Sequence, residues 1–162
     1  MFTLPTLPSW DAFHPGVSHF PIVLLIVAPV LLLVGLLSPR RRESYLTLAL
    51  VFMAAGTLGV FLSAATGDAA RDVASKAPPI ATAIAEHEEL GSFVRAAFSA
   101  LTCLLAALLY GPRLLKLSLS PAVITTLSYV LVVLSIGALL PLYHTAHSGG
   151  LLVHKLGVHA KL

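Results

Sequence analysis

The chain has 162 residues, of which 57% are hydrophobic and only 10% charged, the composition of a membrane domain. Its formal charge of +3 comes from ten Lys and Arg against seven Asp and Glu, and the basic residues sit in short connections, where topology explains them better than nucleic acid does. A single cysteine excludes a disulfide framework, a thiolate-rich metal cluster and a CxxCH site for covalent haem.

Met1 to Gly16 is rich in proline and aromatics, with Trp10 and Phe13 suited to a membrane interface. Met1 to Val17 carries no Lys or Arg and includes Asp11, unlike the basic start of a secretory signal, so the first apolar run is expected to be retained. Four runs approach the roughly 20 apolar residues that a helix needs to cross the hydrocarbon. They are approximately Phe20 to Leu37, Tyr45 to Thr66, Phe93 to Tyr110 and Ala122 to Tyr143. None alternates as a barrel strand would, and a lone helix satisfies its own backbone in lipid. The predicted fold is all-α, a single integral membrane domain over residues 1–162 built as an up-down four-helix bundle.

Local signals refine this outline. Pro21 is expected in the first turn of helix one, and Pro29 is expected to bend its middle. In helix two, Ala55, Gly59, Ser63 and Gly67 recur every fourth residue, a small-residue stripe read first as helix packing and second as room for a flat cofactor. Pro78-Pro79 punctuates the next connection, and Ile80 to Leu90 is expected to start a helix that continues into span three. Ser148-Gly149-Gly150 is expected to stop helix four. Arg40, Arg41 and Arg42 lie between helices one and two, with Arg113 and Lys116 between three and four. The positive-inside rule then puts those loops in the cytoplasm and both termini outside. In a bacterium this means the inner membrane, with the Gly67 to Leu90 loop on the periplasmic side.

All seven histidines, His14, His19, His87, His144, His147, His154 and His159, fall at the predicted outer end. Imidazole is a common metal ligand and a proton carrier near neutral pH, and a bundle core is a usual place for such a site. His19 and His87 are the favoured axial pair for a b-type haem, with His14, His144 and His147 as further cofactor contacts, on the same or a second haem. Arg95 lies eight residues after His87, about 12 Å deeper by helical rise, as a partner for a haem propionate or for an acid such as Asp68. The competing chemistry is copper or zinc held by His19, His87, His144 and His147. His87-Glu88-Glu89-Leu90-Gly91 lacks the second histidine of HExxH, so no zinc protease is expected.

The run His14-Pro15-Gly16-Val17-Ser18-His19-Phe20-Pro21 resembles the HPxxVHFP opening of a family of bacterial four-span membrane proteins, domain of unknown function 2231, with Ser18 replacing the usual Val. Later matches are Thr66-Gly67-Asp68-Ala69, His87 with Leu90-Gly91, and Gly149-Gly150-Leu151-Leu152-Val153, so the resemblance covers nearly the whole chain. His154 stands at the family's usual Tyr position and Leu156 at a usual His position. The resemblance implies a membrane protein with a histidine-rich outer face, and relatives joined to cytochrome-like modules imply haem and electron transfer. The expected role is thus a non-enzymatic membrane cytochrome or electron-transfer subunit with one or two haem b groups. It would serve a periplasmic redox partner or a larger membrane complex. A metal-binding or metal-transport protein and a structural subunit of a respiratory complex are the alternatives. The central spans offer modest polar groups such as Cys103, Thr57, Thr125, Thr126 and Ser128 and no charged path, which weakens transport.

Overall fold

The computed structural model describes residues 9–158. Within them, four long helices account for nearly all the structure: α1 (His14–Leu37), α2 (Arg42–Val73), α3 (Pro78–Leu114) and α4 (Pro121–His154). Single 3-10 turns at Asp11–Phe13 and Pro39–Arg41 lead into α1 and α2. The helices contain 24 to 37 residues, so at about 1.5 Å per residue each exceeds the ~30 Å hydrocarbon thickness. All four are long and apolar enough to cross a membrane. The protein is an all-α membrane bundle.

Phe98, Leu25, Leu32, Met53, Leu105 and Val94 are the largest fully buried apolar side chains and form the central core. Large apolar residues also cover the outside, among them Leu58, Val133 and Phe93. That distribution costs little when hydrocarbon is the solvent. Since burial of apolar surface contributes no hydrophobic drive between helices in lipid, close backbone approach and polar contacts must hold the bundle. The small stripe of α2 supplies the approach. A Cβ on Gly59 would lie 3.0 Å from Cβ of Pro21, and one on the neighbouring Gly56 would lie 2.7 Å from Leu25 Cγ. The stripe packs against α1.

α1 pairs most closely with α2 and α3 with α4, while α2–α3 and α1–α4 form thinner contacts that close the ring. The molecule is therefore two tight hairpins joined along a seam. α1 and α3 face each other across one diagonal, and α2 and α4 across the other.

Several boundaries depart from the sequence reading. α1 begins at His14 rather than near Phe20, so Pro15 occupies its first turn, and Pro21 and Pro29 are both interior and buried. α4 runs through Ser148-Gly149-Gly150 to His154. Gly149 instead sits inside α4 where the helix passes close to a side chain from α3, so close that an added Cβ would lie 3.1 Å from it. α3 starts at Pro78, on the Pro pair itself and two residues before the expected Ile80, since proline is well tolerated where the first-turn N–H has no partner to lose.

Candidate functional site

The end of the bundle formed by the start of α1, the loop between α2 and α3, and the end of α4 gathers the histidines. His14 projects from the first turn of α1, and His87 from the tenth residue of α3. Both are half-buried. Their rings meet edge to face across the α1–α3 diagonal, with centroids 6.2 Å apart and planes at 83°.

Each ring is oriented by a neighbouring helix. His14 Nδ1 lies 2.9 Å from the carbonyl oxygen of Ser63 and 3.2 Å from Thr66 Oγ1 on α2. A carbonyl only accepts, so Nδ1 carries the proton and donates it. Thr66 is fully buried, and its hydroxyl donates in turn to the Ser63 and Leu62 carbonyls. His87 Nδ1 lies 2.9 Å from Ser148 Oγ on α4. The Ser148 hydroxyl donates to the Thr145 carbonyl at 2.9 Å, which leaves an oxygen lone pair for His87 and again makes Nδ1 the donor. In the neutral rings both Nε2 atoms therefore keep free lone pairs. An imidazole anchored through Nδ1–H with Nε2 open is the arrangement that prepares a histidine for a metal.

Glycine allows the rings to sit where they do. A Cβ added at Gly67 would stand 3.1 Å from His14 Cε1, and one added at Gly149 would stand 3.1 Å from His87 Cε1. Both distances are tighter than ordinary packing. The level of the histidine pair is thus walled on α2 by Ser63, Thr66 and Gly67, and on α4 by Thr145, Ser148 and Gly149.

The other expected site residues lie elsewhere. His19 is exposed on α1 and its Nδ1 bonds the Pro15 carbonyl of its own helix at 2.6 Å. His144 and His147 are exposed on the outward side of α4, grouped with Tyr143, which stacks on His147 at 6.0 Å. His154 is exposed at the end of α4, and His159 lies outside the described residues. Arg95 is half-buried, with its guanidinium 5.8 Å from the ring centre of Phe61 and its Nη2 3.5 Å from Ser92 Oγ. Among the described residues no carboxylate pairs with it; Asp68 lies 3.9 Å from Arg71 instead. No group of three His, Cys, Asp or Glu side chains converges among the described residues. The bundle brings together two imidazoles, one from each hairpin.

A model of the family described as predicted membrane protein DUF2231 matches residues 11–162. The chain belongs to the DUF2231 family. The match spans all four helices, so the resemblance read from the HPxxVHFP-like opening extends over the whole DUF2231 bundle. The paired histidines of this DUF2231 protein lie within the quoted segments: His14 opens the first, Thr66-Gly67 is the second, His87 the third, and Gly149 begins the last. No curated protein and no solved structure matches the chain.

Ser63, Thr66, Thr145 and Ser148 were not among the expected site residues. Thr66-Gly67 and Ser148-Gly149 were visible as motifs. Their role as ring anchors depends on which helix faces which, and one-dimensional spacing does not carry that.

Proposed function

We propose that this protein is a membrane electron-transfer subunit that holds one b-type haem between His14 and His87. The observation that carries the reading is the His14–His87 pair itself: two imidazoles on diagonal helices, each fixed through Nδ1 and open at Nε2. His14 and His87 would be the two protein ligands of the haem iron. The residues of α2 and α4 that meet the two rings are small, Ser63, Thr66 and Gly67 on one side and Ser148 and Gly149 on the other, and the seam between the hairpins is the weaker interface to part. Haem supplies a one-electron couple when bound, and the chain supplies ligands, orientation and a low-dielectric wall. Arg95 is the cation assigned to a propionate.

Two converging imidazoles favour haem over zinc or copper, whose protein sites draw on three or four ligands. The basic loops Arg40–Arg42 and Arg113–Lys116 orient the bundle with the histidine end outward, toward the periplasm of a bacterial inner membrane, where a soluble redox partner would meet it. Purification in mild detergent from cells supplied with haem tests this. The expected result is a Soret band with a dithionite-reduced minus oxidised difference and about one iron per chain. A colourless, iron-free preparation overturns it, and stoichiometric copper or zinc in that preparation would make the bare metal the occupant.

A further inference from the structure

The opposite end of the bundle holds a cation that the chain does not satisfy. Arg42 opens α2, is half-buried, and reaches across to α4, where its Nη1 donates to Thr125 Oγ1 at 2.9 Å. Its Nη2 is fully buried and has no hydrogen-bond partner. Guanidinium remains charged at any physiological pH, and a buried charged donor without an acceptor is costly. Both helix ends that Arg42 bridges are N-terminal, where the free backbone groups are N–H donors, not acceptors.

The surrounding charge is unbalanced. Arg40 and Arg41 are exposed in the 3-10 turn just before Arg42, and Lys116 is exposed in the α3–α4 connection. Glu43, the one acid in these two connections and helix starts, is already paired with Arg113. That leaves Arg40, Arg41, Arg42 and Lys116 facing the same end without a carboxylate. Beside them the chain exposes Leu115, Leu117, Leu119 and Val123, a rim suited to acyl chains and not to a free inorganic ion.

We propose that this end binds the phosphate of an anionic phospholipid, with the half-buried Arg42 guanidinium turning its unpartnered Nη2 outward to donate to a phosphate oxygen while Arg40, Arg41 and Lys116 supply the surrounding positive field. Arginine matches phosphate as a multidentate donor, and juxtamembrane basic clusters attract anionic headgroups. The leucine rim would hold the acyl chains alongside α4. This site is independent of the histidine pair and stands whether or not haem is bound there.

The test uses full-length protein, delipidated in detergent and titrated separately with phosphatidylglycerol, phosphatidylcholine and sodium phosphate, reading bound lipid by native mass spectrometry and thermal stability in parallel. Phosphatidylglycerol is expected to bind saturably and raise the melting temperature, with phosphatidylcholine and inorganic phosphate doing neither. Arg42→Gln should weaken phosphatidylglycerol binding by about tenfold, the effect of one lost charge-assisted hydrogen bond, while Arg71→Gln at the other end leaves it unchanged. Equal binding of the zwitterionic lipid overturns the proposal. So does a full response to inorganic phosphate alone, which would make a free anion the occupant, or an Arg42→Gln variant that binds like the wild type. Should Arg42→Gln not fold, the Arg40→Gln/Arg41→Gln double variant and the headgroup comparison on wild-type protein decide the question.

Discussion

Ser63 and Ser148 both serve the histidine pair, but through different atoms, and the difference is testable. Ser63 accepts from His14 through its backbone carbonyl, whereas Ser148 accepts from His87 through its hydroxyl. Ser63→Ala keeps the acceptor and should leave haem retention unchanged. Ser148→Ala removes it, and losing an orienting partner of a metal-bound imidazole typically costs about 10–100-fold in affinity; titration of apo-protein with hemin would measure the contrast. Gly67→Val and Gly149→Val should go further, because even a Cβ reaches 3.1 Å from each ring. A branched side chain would push the imidazoles out of line, so pigment per protein should fall in both variants while the protein stays in the membrane.

At the level of elements, apolar run length made the four spans legible in the sequence, and the helical lead into span three was legible over Ile80 to Leu90, although the Pro pair opens α3 and does not precede it. The ends of α1 and α4 were not legible. His14 to His19 and His144 to His154 are more polar than lipid-facing sequence, and they lie in helices that make tertiary contacts there: His14 to α2, and Ser148 with Gly149 to His87. The α1–α2 hairpin should depend on its glycines. A Cβ at Gly56 would stand 2.7 Å from Leu25, so Gly56→Ala is expected to destabilise by about 1–3 kcal/mol through overpacking. A lower melting temperature in detergent is the readout. Gly111→Ala, with nothing within 4 Å of the added atom, should be neutral.

For the whole molecule, the clustering of histidines at one end was readable from topology, because an up-down bundle returns the chain to that end after helices two and four. Which two histidines meet was not readable. His19 and His14 are five residues apart on one helix, and the rotation of α1 about its axis, set by the Pro21–Gly59 and Leu25–Gly56 contacts, turns His14 inward and His19 outward. The positive-inside rule applied to the basic loops predicts a histidine end facing the periplasm. A cysteine placed at Ser75, exposed in the connection between α2 and α3, should react with an impermeant maleimide from the periplasmic side. Labelling from the cytoplasm alone would invert the bundle and place the histidine pair inside the cell.

The central claim is that His14 and His87, and not the exposed histidines, hold the cofactor. The direct measurement is the haem-to-protein ratio, by pyridine hemochrome assay, of His14→Ala, His87→Ala, His19→Ala and the double variant His144→Ala/His147→Ala, all purified from the membrane fraction at matched expression. Loss of haem in the first two with retention in the others is the predicted result. Full haem content in His14→Ala or His87→Ala would contradict it, as would loss of haem in His19→Ala.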